Sequence, residues 1–232
     1  MIPKIKLPYY EVKIPDNSDT IHIKPYTIEI EKYLIGLDKE NIELSEQLKI
    51  CREILKFCIA EENYDIDELS IGTVLWLFLK CYEISVKDCI EFQNIHKCND
   101  VEEGKVQVKI RIKDIKYDYD NSIIRIAIDT EEGKYFLEYG GLKLKSANYL
   151  TNENDSLNLL ASCLNRMYDE SGNNEIELTM EDKVELTKSL SLSDVSKIGD
   201  LVHKTPRPYY ELEYDCPNCG KHIKEKLEDF FI

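Results

Sequence analysis

Cys216-Pro217-Asn218-Cys219-Gly220 is the stretch of this chain whose residue types and spacing point most directly to chemistry. Two thiolates with two residues between them fit on one tight turn and converge on a single tetrahedral ion, with sulfur about 2.3 Å from zinc. The glycine after the second cysteine supplies the positive φ such a turn needs. A closed structural site takes four protein ligands, so the rest must come from elsewhere. His96 and Cys98, in NIHKCNDVEEG (94–104), are the natural candidates, because a strand-like run precedes them and a strand follows, as around a second knuckle. That knuckle is incomplete, since Ile95 and Val101 stand where its other cysteine would. His222, three residues beyond Cys219, is the alternative fourth ligand. The candidate set is therefore Cys216, Cys219, Cys98 and His96, and the implied ion is a structural zinc. The contrary reading is a degenerate site, with Cys216 and Cys219 as free thiols in a turn that packs without metal. A redox CxxC lies between a strand and a helix N-terminus; the weakly patterned KHIKEKL that follows here ranks that chemistry lower.

Little else in the chain suggests a reaction. There is no Gly-rich phosphate loop, HExxH helix, GxSxG elbow or kinase-type set. With 45 carboxylates, an Asp/Glu pair carries no information about acid–base work. Cys51, Cys58, Cys81 and Cys163 fall among apolar helical residues and read as core thiols. Cys89 is left open, and His22 and His203 read as solvated or core histidines. Lys105, Lys109, Arg111 and Lys113 would line one strand face, where pairing with acidic neighbours outweighs a nucleic-acid groove. No aromatics interleave with them, and a net charge of -15 repels phosphate backbones. The expectation is a protein that is not an enzyme and has neither membrane nor nucleic acid as a partner.

The elements that must position these residues follow from periodicity. With 43% hydrophobic residues in 232, the chain can bury a sizeable core. The start, broken by Pro3, Pro8 and Pro15, lacks a signal-peptide core. The longest charge-free apolar run, Leu69 to Leu79, falls short of the roughly 20 residues that span a bilayer. A soluble intracellular protein with reduced cysteines is expected. Residues 1–25 read as an extended arm, and 26–85 as a helical domain. In it Leu44, Leu48, Cys51, Leu55 and Cys58 form one stripe, and 67–85 is the central core helix. From 86 to 149 the period becomes 2 and antiparallel strands are expected, including LKLK at 142–145. Residues 150–204 read as a helical segment, with helix over 154–170, a short strand at 175–179 and two short helices, the second capped by Ser191 or Ser193. Residues 205–232 form a knuckle hairpin and tail packing with 86–113. The fold class is α+β: N-terminal helices, central antiparallel strands, further helices and a C-terminal zinc-ribbon-like hairpin.

The order of features resembles the baseplate hub assembly proteins of contractile-tailed bacteriophages. The residues that carry the likeness are a proline-rich arm and the entry Ile23-Lys24-Pro25-Tyr26-Thr27 into helix. Then come Ile54-Leu55-Lys56-Phe57-Cys58, the lead Ile66-Asp67-Glu68-Leu69, and Phe78-Leu79-Lys80-Cys81-Tyr82-Glu83-Ile84-Ser85. The ending is Cys216 to Gly220 followed by Asp229-Phe230-Phe231. The likeness covers about the first hundred residues and the last thirty; the family's first cysteine knuckle is reduced here to Cys98 with His96 nearby. It implies a non-enzymatic role in building, or forming part of, the central hub and wedge junction of a baseplate. Tail hub and wedge proteins would be the partners, met in the host cytoplasm during assembly and, for some members, kept in the virion. Leu7, Pro8, Tyr9 and Tyr10 on the arm and Phe230, Phe231 and Ile232 on the tail are the expected partner-binding residues, as apolar side chains on termini. Two other readings remain: a zinc-ribbon module touching nucleic acid through Lys109 and Arg111, and a thiol redox protein with a low-pKa Cys216.

Overall fold

The computed structural model describes residues 6–17, 19–35, 42–98, 102–118, 122–150, 156–172, 174–228 and 230. Two helices form its centre, α2 (Leu44–Cys58) and α3 (Ile71–Ser85), after a short α1 (Ile28–Ile35). The apolar stripe is the reason they pack. Leu48, Cys51, Leu55 and Cys58 have no exposed surface, and Val74, Leu77 and Cys81 meet them from α3. Burial pushes the Cys51 thiol far above the ordinary range, as suits a core residue. Asp67 and Glu68 do not open α3 but form a 3-10 turn before it (Ile66–Glu68); Ser70 is the cap, its hydroxyl accepting from the Thr73 amide at 3.0 Å.

The region expected as an extended arm is a hairpin. Strands β1 (Tyr10–Lys13) and β2 (Thr20–Ile23) pair antiparallel, and Ile14, Ile21 and Ile23 are buried. The prolines do not prevent this, because Pro8 precedes β1 and Pro15 lies in the turn, where a missing ladder donor costs nothing. At that turn the Asp16 carboxylate accepts from the hydroxyls of Ser70, Thr73 and, at 2.8 Å, Tyr117.

Strands β3 (Cys89–Cys98) and β4 (Glu102–Arg111) form a long two-stranded hairpin, followed by the two-residue strand β5 (Lys116–Tyr117). A four-stranded antiparallel sheet then runs in chain order: β6 (Ile124–Thr130), β7 (Gly133–Tyr139), β8 (Leu164–Asp169) and β9 (Glu175–Ile176). Two expectations fail here. LKLK contributes only a one-residue bridge from Lys143 to Ser70 and then a 3-10 turn over Leu144–Tyr149, which buries Leu142 and Leu144 while Lys143 and Lys145 reach Glu68. The helix expected over 154–170 is confined to α4 (Ser156–Ser162), because the rest is drafted into the sheet. Arg166 on β8 pairs with the buried Glu138 on β7, and Leu164 and Met167 turn inward. Tertiary pairing overrides local preference there.

Helices α5 (Met180–Lys188) and α6 (Leu192–His203) follow; α5 has a Thr179/Asp182 capping box, and Ser191 caps α6. The chain closes in the expected hairpin of β10 (Pro208–Asp215) and β11 (His222–Leu227), with β10 also pairing with β5. Gly72 admits this arrangement: a Cβ there would stand 1.9 Å from the Pro206 carbonyl oxygen, so only glycine lets the approach to β10 lie on the start of α3.

Candidate metal centre

Residues 96 and 98 lie two apart on β3 and therefore project from the same face of the strand. The incomplete knuckle is thus replaced by a strand: an imidazole and a thiol presented in line, near the end of the β3–β4 hairpin. The other thiols come from the β10–β11 hairpin. After Asp215 the chain turns so that the Gly220 amide donates to the Cys216 carbonyl and the Cys216 amide donates to the Lys221 carbonyl, both at 2.8 Å. Gly220 closes the turn at a φ of 68°, the conformation its side-chain-free backbone allows.

The two hairpin ends meet. One ligand atom from each of His96, Cys98, Cys216 and Cys219 lies within 4.8 Å of the other three. The Sγ atoms of Cys98 and Cys216 are 3.4 Å apart. Tetrahedral zinc–thiolate geometry at about 2.3 Å per bond sets sulfurs about 3.8 Å from one another, so the cluster needs only small shifts to close on an ion. Cys98 and Cys216 are buried, His96 is half-buried and Cys219 is exposed. Burial pushes the Cys216 thiol up, but the amides of Cys219 and Asn218 and the thiols of Cys98 and Cys219 outweigh it and hold the group at about 7. Cys98 is pushed up to about 12, by burial first and then by its hydrogen bonds to the other two thiols. Three thiols with an imidazole beside them are a soft donor set that suits zinc and not magnesium or calcium. The residues present fit a metal ion, and the cluster could hold one.

A lowered Cys216 is also what the thiol-redox reading predicts, but the CxxC turn leads into strand β11 and not into a helix N-terminus. His222, the alternative ligand, is engaged elsewhere. Its Nδ1 lies 2.8 Å from Asp215 and its Nε2 2.9 Å from Glu213, and these carboxylates raise its pKa, Asp215 first.

Sequence reasoning missed Gly104. It pairs across the ladder with His96, and a Cβ there would stand 2.3 Å from Cys216 Sγ and 3.4 Å from Cys98 Sγ. Its bare backbone is the floor on which the CxxC turn rests. The available signal was a glycine inside a strand pattern, which marks close approach by another group. Asn94 was missed too: its amide reaches the Tyr214 hydroxyl and the Glu225 carboxylate, tying the two hairpins together below the cluster.

The other expected residues are spread over the molecule. Tyr9 and Tyr10 are 57% and 43% exposed, Pro8 is exposed and Leu7 half-buried. Phe230 departs from the expectation of an exposed tail: it is buried, beside a cavity of about 320 Å³ lined by Leu44, Leu75, Phe78 and Pro208. Apolar area on a chain end finds the nearest apolar wall. Phe231 and Ile232 lie outside the described residues. Lys109 pairs with Glu91 and Arg111 with Asp114, each at 2.8 Å, so the basic edge is neutralised on its own surface. Lys113 lies beyond β4, in a 3-10 turn. His22 is held by Glu61, and Cys89 is buried.

These features define a mixed α+β protein in which a cluster of three thiols and an imidazole joins a hairpin near the middle of the chain to its final hairpin. The chain belongs to the family described as T4 bacteriophage base plate protein, whose model matches residues 7–232. No curated protein and no solved structure matches it. Among the described residues no helix is long and apolar enough to cross a membrane.

Proposed function

We propose that this protein acts without catalysis in the central hub/wedge junction of a contractile phage tail, either assembling that junction or forming part of it. The observation that carries the reading is membership of the base plate family over residues 7–232. The N-terminal hairpin adds support: Tyr10 at its start and Tyr9 just before it offer two exposed aromatic rings, and aromatic side chains dominate the energetics of protein interfaces. Tail hub and wedge proteins are the partners, met in the host cytoplasm during assembly. Zinc is the ion assigned to His96, Cys98, Cys216 and Cys219, in a structural role, since four protein donors leave no position open for substrate.

Affinity capture of the tagged protein from infected cells tests this, with mass spectrometry of the captured proteins and of mature particles. Recovery of hub or wedge proteins is expected, falling at least about tenfold for the Tyr9→Ser/Tyr10→Ser double variant, as loss of aromatic anchors predicts. A protein captured alone, with no tail component, would refute the reading.

A further inference from the structure

Among the described residues, the tips of the two hairpins bury little apolar side chain. Among the described residues there, Cys98, Cys216 and Gly104 are buried, whereas Ile95, Pro217, Asn218, Cys219, Lys221 and His222 are exposed. Nearer the base of the lobe, ordinary forces hold it. Leu212 is buried, β10 pairs with β5, and Asn94 bridges to Tyr214 and Glu225. Above that level the described residues of the two hairpins meet through the contact between the Cys98 and Cys216 thiols and the cluster around it. A patch this thin cannot offset the ordering entropy of two turns by burial, and small lobes in that position are stapled by a metal.

We propose that zinc held by Cys98, Cys216, Cys219 and His96 is the core of the two-hairpin tip and acts as a local lock. With metal the tips are joined; without it, residues 95–98, 102–104 and 214–222 open while the helical body and four-stranded sheet stay folded. This rests on the zinc assignment above and adds two claims to it. The first is that the fourth ligand is His96 and not His222: His96 shares a strand face with Cys98, whereas both ring nitrogens of His222 already face carboxylates. The second is that the order conferred by the metal is confined to the tips. α3 and β7 are packed by Val74, Leu77, Leu137 and Tyr139, all fully buried and none of them a member of the cluster. Metal binding and local folding are then one equilibrium.

The experiment uses the full chain in three arms. Elemental analysis of protein purified with added zinc should give one zinc per chain, and cobalt substitution should give the intense ligand-field and thiolate charge-transfer bands of a tetrahedral sulfur-rich site. Among variants, His96→Ala and Cys216→Ser should lose those bands, His96→Cys should keep metal with a shifted spectrum, and His222→Ala should match wild type. Hydrogen exchange with and without chelator should show the Cys216 and Gly220 amides and the upper β3–β4 ladder exchanging at least about tenfold faster once stripped, with α3 and β7 unchanged. Absence of zinc and cobalt binding would sink the zinc assignment itself. Metal binding with unchanged exchange at the tips, or with exchange rising across α3 and β7 as well, would sink the local lock. Loss of cobalt bands in His222→Ala with retention in His96→Ala would sink the ligand set.

Discussion

Gly104→Ala is the substitution with the clearest sign. At a strand position of ordinary φ, replacing glycine with alanine stabilises a protein by about 0.4–1 kcal/mol, by narrowing the unfolded ensemble. Gly104 has no positive φ, so its backbone raises no objection to a side chain. The obstacle is Cys216, whose Sγ would stand 2.3 Å from the new methyl carbon. Ordinary contact between heavy atoms begins near about 3.5 Å, so roughly 1.2 Å of relief is required. Cys216 cannot easily supply it: its amide and carbonyl are both hydrogen-bonded within the turn, and Cys98 Sγ lies 3.4 Å away. The whole CxxC turn must lift, and overpacking of this kind costs about 1–3 kcal/mol. Because the clash exists only when the tips are joined, the cost falls on metal binding, as a zinc affinity roughly 5- to 150-fold weaker. Competition titration against a chromogenic chelator measures it, alongside urea unfolding in saturating zinc followed by Trp76 fluorescence. In a Cys216→Ala background, or with chelator present, the same substitution should be neutral or mildly stabilising, giving a coupling of about 1–3 kcal/mol between positions 104 and 216. A Gly104→Ala protein that binds zinc as tightly as wild type, or a penalty that survives removal of the Cys216 sulfur, would refute the close packing of the two hairpins.

Two further perturbations test the body. Asp16→Ala removes the acceptor shared by Ser70, Thr73 and Tyr117 and leaves the wholly buried Thr73 hydroxyl without that partner; a loss of about 2–3 kcal/mol in urea unfolding is expected, and a loss below about 0.5 kcal/mol would show that the hairpin is not held there. Glu138, 7% exposed, is held below the usual carboxylate range by Arg166 first and, against burial, by Arg125. A carboxylate with a depressed folded pKa stabilises the fold above its unfolded value of about 4.3 and loses that contribution as pH falls through the folded value. Wild-type stability should therefore decline below about pH 4.3 more steeply than that of Glu138→Gln, which should itself be less stable at pH 7 by about 1–2 kcal/mol. Parallel pH profiles of the two proteins would contradict the ion pairs.

Legibility in the sequence followed the range of the interaction. Helix α2 could be read because its stripe repeats within fifteen residues, and α6 because Ser191 caps it from the adjacent position. The cluster of His96, Cys98, Cys216 and Cys219 was legible as residue types, since CxxC followed by glycine restricts the chemistry, but not as geometry. That His96 and Cys98 stand on a strand, and that His222 turns to Asp215 and Glu213, depends on the register of two hairpins far apart in sequence. Strand β8 was illegible for the same reason, since the local pattern around Arg166 is helical and its partner Glu138 lies 28 residues upstream. The N-terminal hairpin misled the reading because three prolines suggest an extended arm unless one knows that Pro15 occupies a turn whose next residue, Asp16, has three hydroxyls waiting for it.

Those hydroxyls and Gly72 gather the N-terminal hairpin and the approach to β10 at one spot. Asp16 brings the N-terminal hairpin to Ser70 and Thr73 on the first turn of α3, and Pro206, at the approach to β10, lies against Gly72 on the same turn. Tyr117 belongs to both sides: its hydroxyl donates to Asp16 while its backbone lies opposite Pro208. Shared side chains with one arrangement couple the segments that hold them, so strain at the exposed Tyr9 and Tyr10 has a physical path to the base of the β10–β11 hairpin. Asp16→Ala then serves a second purpose. Amide exchange at Asp118 and along β10, beside the Tyr117–Pro208 pairing, should rise with that of β1–β2 if the junction acts as a unit. Exchange that rises in β1–β2 alone would mean that the two segments merely rest on the same helix.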